Sequence, residues 1–349
     1  KALKKINNKY KAAHFGKWGM GSSPSVLGYD TSDGPTKNKD GNFNNNKSQW
    51  QNTTKKDPKN IFSLTDKAIK FINTCSEKKT PFFLQISHYA VHSNIESKFQ
   101  TYTHFKDKTR GKQQIDPGFA AMTFNLDESI GILLKKIKEL DLEDNTYIIY
   151  MSDNGSVPNI PGAKKYDKSY NYPLSRGKWD AYEGGIRVPL IIAGPRIKRG
   201  SESSIPVSGS DILPTLIDLA GNKKVFLTEV DGGSFASILF NKNNKKIERE
   251  VDGIFFHVPY KNGIALKRPH SAVRKGDYKL IKFQDDKSIF LYNLIKDKME
   301  QLNIAVQNPQ KARELEKILD SYLIEVNAPK WKDGITWKNI PLKKINSRY

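Results

Sequence analysis

The chain has 349 residues, is 37% hydrophobic and 11% aromatic, and carries 58 Lys+Arg against 37 Asp+Glu, a formal net charge of +21. This length and apolar content exclude a wholly disordered polyelectrolyte and suggest about two domains, while a single cysteine, Cys75, excludes an internal disulfide and a multi-cysteine metal site. No apolar run reaches the ~20 residues of a membrane helix, and the lysines are scattered among asparagines, so the charge reads first as a diffuse surface, second as attraction for a polyanion, and nucleic acid is not expected as a partner.

Ala2, Leu3 and Ile6 share a face at helical spacing, which makes 1–10 the end of a helix. A short strand over 10–15 then feeds Gly16-Lys17-Trp18-Gly19-Met20-Gly21. From about 22 to 60 the sequence is rich in Gly, Ser, Asn, Lys and Asp without periodicity, and a loop of that length inside a domain is usually functional or disordered. Ser63 or Thr65 is expected to cap a helix over about 64–76 with Ala68, Phe71, Ile72 and Cys75 inward; a cysteine so placed packs and is not a nucleophile. Pro81 opens PFFLQIS, a fully buried strand that ends at His88-Tyr89-Ala90-Val91-His92. Asp116-Pro117 is an N-cap followed by proline at the first helical position. The helix it opens, over 117–140, has Phe119, Met122, Leu126, Ile130, Leu133, Leu134 and Ile137 on its inner face. It leads into the uninterrupted apolar run 147–151, predicted as a parallel strand covered on both faces and the second strand of a βαβ unit.

That strand stops on Ser152-Asp153-Asn154-Gly155. A polar loop over 155–185 precedes a strand over 186–193, a helix over 211–220 with Pro214 in its first turn and Gly221 as its stop, and an apolar strand over 254–258. Past about Arg268 come short strands at 272–275, 278–283 and 289–292 with tight polar turns between them, a meander. An amphipathic helix over 309–326 follows, with Leu315, Ile318, Leu319 and Tyr322 inward. A tail bearing Trp331 and Trp337 is expected to strap the surface. The expected fold is α/β: a mixed, mainly parallel central sheet sandwiched by helices over 1–268, then a smaller C-terminal α+β subdomain, an antiparallel sheet plus helix, over 269–349.

Open α/β sheets place their chemistry past the carboxyl ends of their strands. Asp153 and Asn154 stand there with a carboxylate and an amide oxygen, donors that suit a hard cation such as calcium, although S-D-N-G taken alone is more often an ordinary turn. Lys17, His92 and Lys178 also follow strands or sit in glycine-rich loops, so these groups are expected to converge. Two lysines, a histidine and a hard-cation site describe a pocket for a tetrahedral oxyanion. His257, in FFHVPY, is a candidate substrate contact. His14 and His88 are expected to pack or cap, and Glu183 and Arg187 to brace the Gly-Gly turn.

The stretches YKAAHFGKWGMG (10–21), YAVH (89–92), YIIYMSDNG (147–155), LSRGKWDAYEGGIRVP (174–189), SDILPTLIDLAG (210–221) and AVRKGDYKL (272–280), in this order, resemble the signatures of the formylglycine-dependent type I sulfatase family of the alkaline-phosphatase superfamily, across nearly the whole chain. The resemblance implies hydrolysis of sulfate monoesters, with a sulfated carbohydrate as substrate. It implies one calcium ion on Asp153 and Asn154, sulfate contacts from Lys17 and Lys178, and His92 binding the ester or protonating the leaving oxygen. A periplasmic or secreted location is implied as well; oligomeric state is not.

Two departures accompany the resemblance. The family's nucleophile is a cysteine in a C-x-P-S-R or C-x-A-x-R context, oxidised to formylglycine, whereas Cys75 is followed by Ser-Glu-Lys-Lys and no serine has that context. The paired aspartates of the family's first strand are missing too. Both normally precede the GKW signature, so the expectation is a fragment lacking the N-terminal nucleophile segment, with little turnover on its own. Gly19, where many relatives have His, is a further difference. The alternatives are a phosphodiesterase or phosphonate hydrolase of the same superfamily, and a catalytically dead polyanion-binding protein.

Overall fold

Residues Ala2–Ile6 form helix α1 and Lys11–Gly16 strand β1. The structure, a computed structural model, describes residues 1–111, 115–157, 171–221, 230–240, 246–261 and 268–331. Among the described residues two units emerge, one over Lys1–Tyr147 and one from Ile148 onward.

The first unit continues with β2 (Thr31–Ser32), β3 (Thr53–Thr54), α2 (Ile61–Glu77), β4 (Phe82–Ser87), β5 (Glu96–Ser97), α3 (Phe99–Lys106) and α4 (Pro117–Glu139). Its main sheet has the order β2-β1-β4, all parallel. Parallel neighbours need a long crossover; α2 supplies it, so β4 runs beside β1 in register from Lys11↔Phe82 to Gly16↔Ser87. Ala13 and Phe15 of β1 pack on Leu64 and Ala68 of α2 and on Tyr89, the core of this unit. Cys75 faces the same way at 3% exposure, and burial pushes its thiol up, as suits a packing residue.

The start of α2 differs from expectation. The Pro58–Asn60 turn folds the chain back, so the Asp57 carboxylate accepts the N–H groups of Phe62 (2.8 Å) and Ser63 (3.2 Å). Ser63 and Thr65 instead donate their hydroxyls to the carbonyls of Asn60 and Ile61. A carboxylate is the stronger acceptor for orphan helix donors and complements the positive end of the dipole. At α4 the expected cap is found: Asp116 accepts Gly118 N–H (2.8 Å) and Phe119 N–H (3.0 Å). The buried line of α4 includes Gly118, Ala121, Met122, Asn125, Leu126, Ser129 and Ile137, while Leu134 is 42% exposed. Asn125 is tolerated inside because its amide accepts Lys98 N–H and donates to Thr101 Oγ1, each at 2.9 Å.

The second unit comprises β6 (Ile148–Met151), α5 (Glu183–Ile186), β7 (Leu190–Ala193), α6 (Ile212–Leu219), α7 (Ala236–Leu239), β8 (Ile254–Val258), β9 (His270–Lys275), β10 (Tyr278–Phe283), β11 (Ile289–Asn293) and α8 (Pro309–Glu325). The predicted parallel strand at 147–151 is corrected: β6 pairs antiparallel with β7, and Tyr150 and Met151 are about 40% exposed. The Gly184-Gly185 bend and Pro189 turn the chain back along β6, with Ser152 N–H donating to Pro189 O and Gly155 N–H to Gly185 O. The β1–α2–β4 unit is a parallel crossover.

The C-terminal sheet has the order β11-β10-β9-β8, antiparallel throughout. One face packs on α8, joining Val273, Leu280 and Leu291 to Ala312, Leu315 and Leu319. Tyr322 stacks on Phe255 at 3.8 Å between ring centroids. The other face, with Ala272, Ile281, Phe283 and Tyr292, packs on Ala181 and Tyr182. Each large side chain so buried contributes roughly 1.5–3 kcal/mol. The fold is therefore mixed α/β, with a parallel sheet in the first unit and an antiparallel sheet plus helix at the C-terminal end. Trp331 reaches back to the sheet, its backbone N–H donating to Gln284 Oε1 at 3.2 Å; Trp337 lies outside the described residues.

Candidate active site

Lys17 follows the last residue of β1. Gly16, at φ +95, is the residue that lets the chain turn there, because a Cβ would lie 2.1 Å from the Ser87 carbonyl oxygen. The turn is fixed by Gly16 N–H to Asp33 Oδ2 (2.9 Å), Lys17 N–H to Ser87 O (2.8 Å), and Trp18 N–H to Thr36 Oγ1 (2.9 Å). Trp18 is buried with its indole N–H on Ser22 O and its ring edge-on to His14. Lys17 is half-buried, and its ammonium has no ion-pair or hydrogen-bond partner among the described residues. His14 packs, as expected, between Trp18 and Tyr29 with Nε2 3.0 Å from Ser87 Oγ, and burial pushes its imidazole down.

His92 lies five residues past the end of β4. Its Nδ1 is 2.8 Å from the Ser93 carbonyl oxygen. A carbonyl can only accept, so Nδ1 carries the proton and, in the neutral ring, Nε2 bears the lone pair. The Phe43 ring stands nearly perpendicular to the imidazole, at 5.0 Å between centroids.

In the second unit the Asp153–Asn154 turn and the Lys178 loop are locked together. Gly155 N–H donates to Gly185 O (3.0 Å) and Lys178 N–H to Ser156 O (2.9 Å). Asn171 bridges them, accepting Ser156 N–H and donating to the carbonyls of Ser156 and Arg176. Three glycines make this possible: a Cβ at 155, 184 or 185 would lie 1.7 Å, 2.3 Å or 2.2 Å from a backbone oxygen. Asp153 is exposed and Asn154 half-buried, and Ser152 Oγ donates to Asn154 O. Half-buried Lys178 has its Nζ 5.3 Å from the Trp179 ring centroid. The donor pair on this turn, one carboxylate and one amide oxygen, fits part of the shell of about six to eight oxygens that a calcium ion takes. Among the described residues no group of three or more His, Cys, Asp or Glu gathers to hold a metal.

Behind the Lys178 loop lies an ionic cluster. Lys279 is 0% exposed; its Nζ contacts Glu183 Oε1 (2.9 Å), Glu300 Oε1 (2.5 Å) and the Ala181 carbonyl (3.0 Å). Glu300 also accepts the Glu183 N–H at 2.7 Å, and burial pushes its carboxyl up against the pull of Lys279. Arg187 and Arg274 flank Glu183 at 3.7 and 3.8 Å. Glu183 thus braces the Gly-Gly turn. His270 completes the support: Nδ1 donates to Arg268 O and Nε2 accepts Ala181 N–H. His257 donates Nε2–H to Pro329 O (2.7 Å) and accepts at Nδ1 from Ser271 Oγ (2.8 Å), so the C-terminal segment occupies its ring.

The candidate residues therefore fall into two sets, Lys17 and His92 in the first unit and Asp153, Asn154 and Lys178 in the second. A family model described as Sulfatase matches residues 6–222. The chain belongs to the sulfatase family. A second model, N-sulphoglucosamine sulphohydrolase, C-terminal, matches residues 177–329. A protein named sulfatase from Formosa agariphila is 30% identical over 304 residues, 79% of this chain and 52% of the relative. The N-acetylglucosamine-6-O-sulfatase of Bacteroides thetaiotaomicron is 29% identical over 232 residues, 65% of this chain and 39% of that protein. This sulfatase-family chain thus spans about half or less of the length of these curated relatives. In fold it is similar to the crystal structure of Ps i-CgsB, with a TM-score of 0.71 at 24% identity over 95% of this chain and 75% of that one.

Lys279, Glu300 and Asn171 escaped the sequence reading. Lys279 carries a signal: in YKLIKF it alternates onto the face of Ile281 and Phe283, an inward position where a lysine needs a partner. Glu300 and Asn171 sit in irregular segments and carry none.

Proposed function

We propose that this chain serves a sulfatase acting on sulfate monoesters of a carbohydrate, and that it supplies the groups that hold the sulfate and receive the departing sugar. The observation that carries the reading is Lys17: a half-buried cation without a partner among the described residues, on a turn that glycine alone permits. A compact ammonium suits a single sulfate oxygen. The family match and the relative named for a sugar sulfate support the same class of substrate.

Lys17 and Lys178 each take a sulfate oxygen in this reading. His92, with Nδ1 anchored, passes a proton from Nε2 of its charged ring to the departing oxygen, a general-acid role that suits an imidazole. Asp153 and Asn154 would hold calcium, which when bound supplies positive charge to a sulfate oxygen. His257 enters as a substrate contact on release of Pro329. Cys75 lies outside the family's nucleophile context, so attack on sulfur is assigned to none of this chain's residues. A periplasmic or secreted location accompanies the proposal; among the described residues no helix is long and apolar enough to cross a membrane.

The test is calorimetric binding of N-acetylglucosamine 6-sulfate and sulfated oligosaccharides to the chain in calcium, paired with ion-chromatographic assay of sulfate release. Lys17→Ala and Lys178→Ala should each weaken binding by about tenfold or more, the range expected for a charge-assisted hydrogen bond. Equal binding of sulfated and unsulfated sugars, or indifference to both substitutions, would overturn the reading.

A further inference from the structure

The first unit buries a lysine that the proposed chemistry does not use. Lys59 is 1% exposed, on the Pro58–Asn60 turn, with its own φ at +54. Its backbone N–H donates to Glu96 Oε2 at 3.1 Å, and its Nζ donates to the Ser93 carbonyl oxygen at 3.1 Å. That same oxygen accepts the Nδ1–H of His92 at 2.8 Å. A carbonyl oxygen has two lone pairs, so it serves both donors at once. The ammonium is one oxygen atom removed from the imidazole.

Burying a lysine costs several kcal/mol, on the order of that for any buried ion, unless the charge is balanced. Glu96, 3% exposed, is the balancing group; its Oε2 also accepts Asn42 Nδ2 at 3.3 Å. The carboxylate takes the backbone N–H of Lys59, which leaves the Nζ directed at Ser93 O.

We infer that Lys59 is a positioning residue for His92, fixing the imidazole through the shared Ser93 carbonyl and making its Nε2 proton easier to give up. A cation on the carbonyl competes with Nδ1–H for the oxygen and opposes a second proton on the ring. The inference rests on the proposed role of His92 and deepens it, since a more acidic imidazolium is a better donor to a departing alkoxide. Burial pushes the Lys59 ammonium down to about 8, with Glu96 opposing, so its charge changes within reach of a titration. The other ionisable groups flanking it are engaged elsewhere: Asp57 caps α2, and Asp40 closes its own turn on Lys37 N–H.

The experiment is an NMR titration of the chain with labelled histidine and lysine. The His92 signals should show a second inflection at the pH where the Lys59 Nζ titrates. Lys59→Met should abolish it and raise the His92 midpoint by about half a unit or more. Lys59→Arg, which keeps the charge, should leave the midpoint near that of the wild type. A single inflection in the wild type, or an unmoved midpoint in Lys59→Met, overturns the inference. If Lys59→Met does not fold, the wild-type curve decides alone. Because the readout is on the ring, intact coupling beside equal binding of sulfated and unsulfated sugars would overturn the sulfatase reading and leave this one standing.

Discussion

His88 sits just past the end of β4 with its Nδ1 enclosed and without a partner among the described residues, and burial pushes its imidazole down to about 4. The ordinary value is near 6.5. Between the two, the unfolded chain holds a proton on this ring that the folded chain does not. Stability is therefore complete above about 6.5 and is lost as the pH falls toward about 4, by on the order of 3 kcal/mol from His88 alone. His14, His257 and His270 are pushed down by burial as well and add to the same trend. Urea unfolding at pH 7, 5.5 and 4.5 should show this loss, and His88→Phe should flatten it; an equally steep loss in the variant would refute the assignment to His88. The packing roles of His14 and His88 were legible in the sequence because His14 lies within an apolar strand and His88 directly after one. Lys59 was not: Asp-Pro-Lys-Asn reads as a solvated turn, and what buries it, the Glu96 segment, lies more than thirty residues away in the chain.

At the scale of elements, the Lys178 loop is mounted on β10 through Lys279. One ammonium faces two buried carboxylates, and removing it leaves Glu300 uncompensated and Glu183 with only the more distant Arg187 and Arg274. Lys279→Met should cost about 3–5 kcal/mol, read as a drop in urea midpoint, with part of the loss recovered in Lys279→Met combined with Glu300→Gln. A midpoint within experimental scatter of the wild type would show that the cluster does not hold the loop. The β9–β11 meander and α8 could be read from alternation and from the Leu315–Leu319 stripe, since both patterns are local. The pairing of β6 could not. A short apolar run satisfies a parallel or an antiparallel ladder equally well, and the choice was made by the Gly184-Gly185 bend and Pro189, more than thirty residues further on. Leu134 failed at the edge of the stripe: Ile137, further along α4, is buried, so helical periodicity left open how wide the packed face is and not how far it runs.

For the whole molecule, the formal charge of +21 predicts attraction to sulfated polysaccharide that weakens with salt. The Debye length falls from about 10 Å at 0.1 M to about 3 Å at 1 M, so the chain should be retained on a heparin column at the lower concentration and elute before the higher. Retention insensitive to salt would mean that binding owes little to the general field. The glycine interlock of residues 155, 184 and 185 acts at this scale too, since it joins segments far apart in the sequence into one rigid backbone crossing. A donor pair carried on a mobile loop would surrender conformational entropy each time a ligand arrived. Asp153 and Asn154 ride on a backbone that is already ordered, so that loss falls on folding and not on binding.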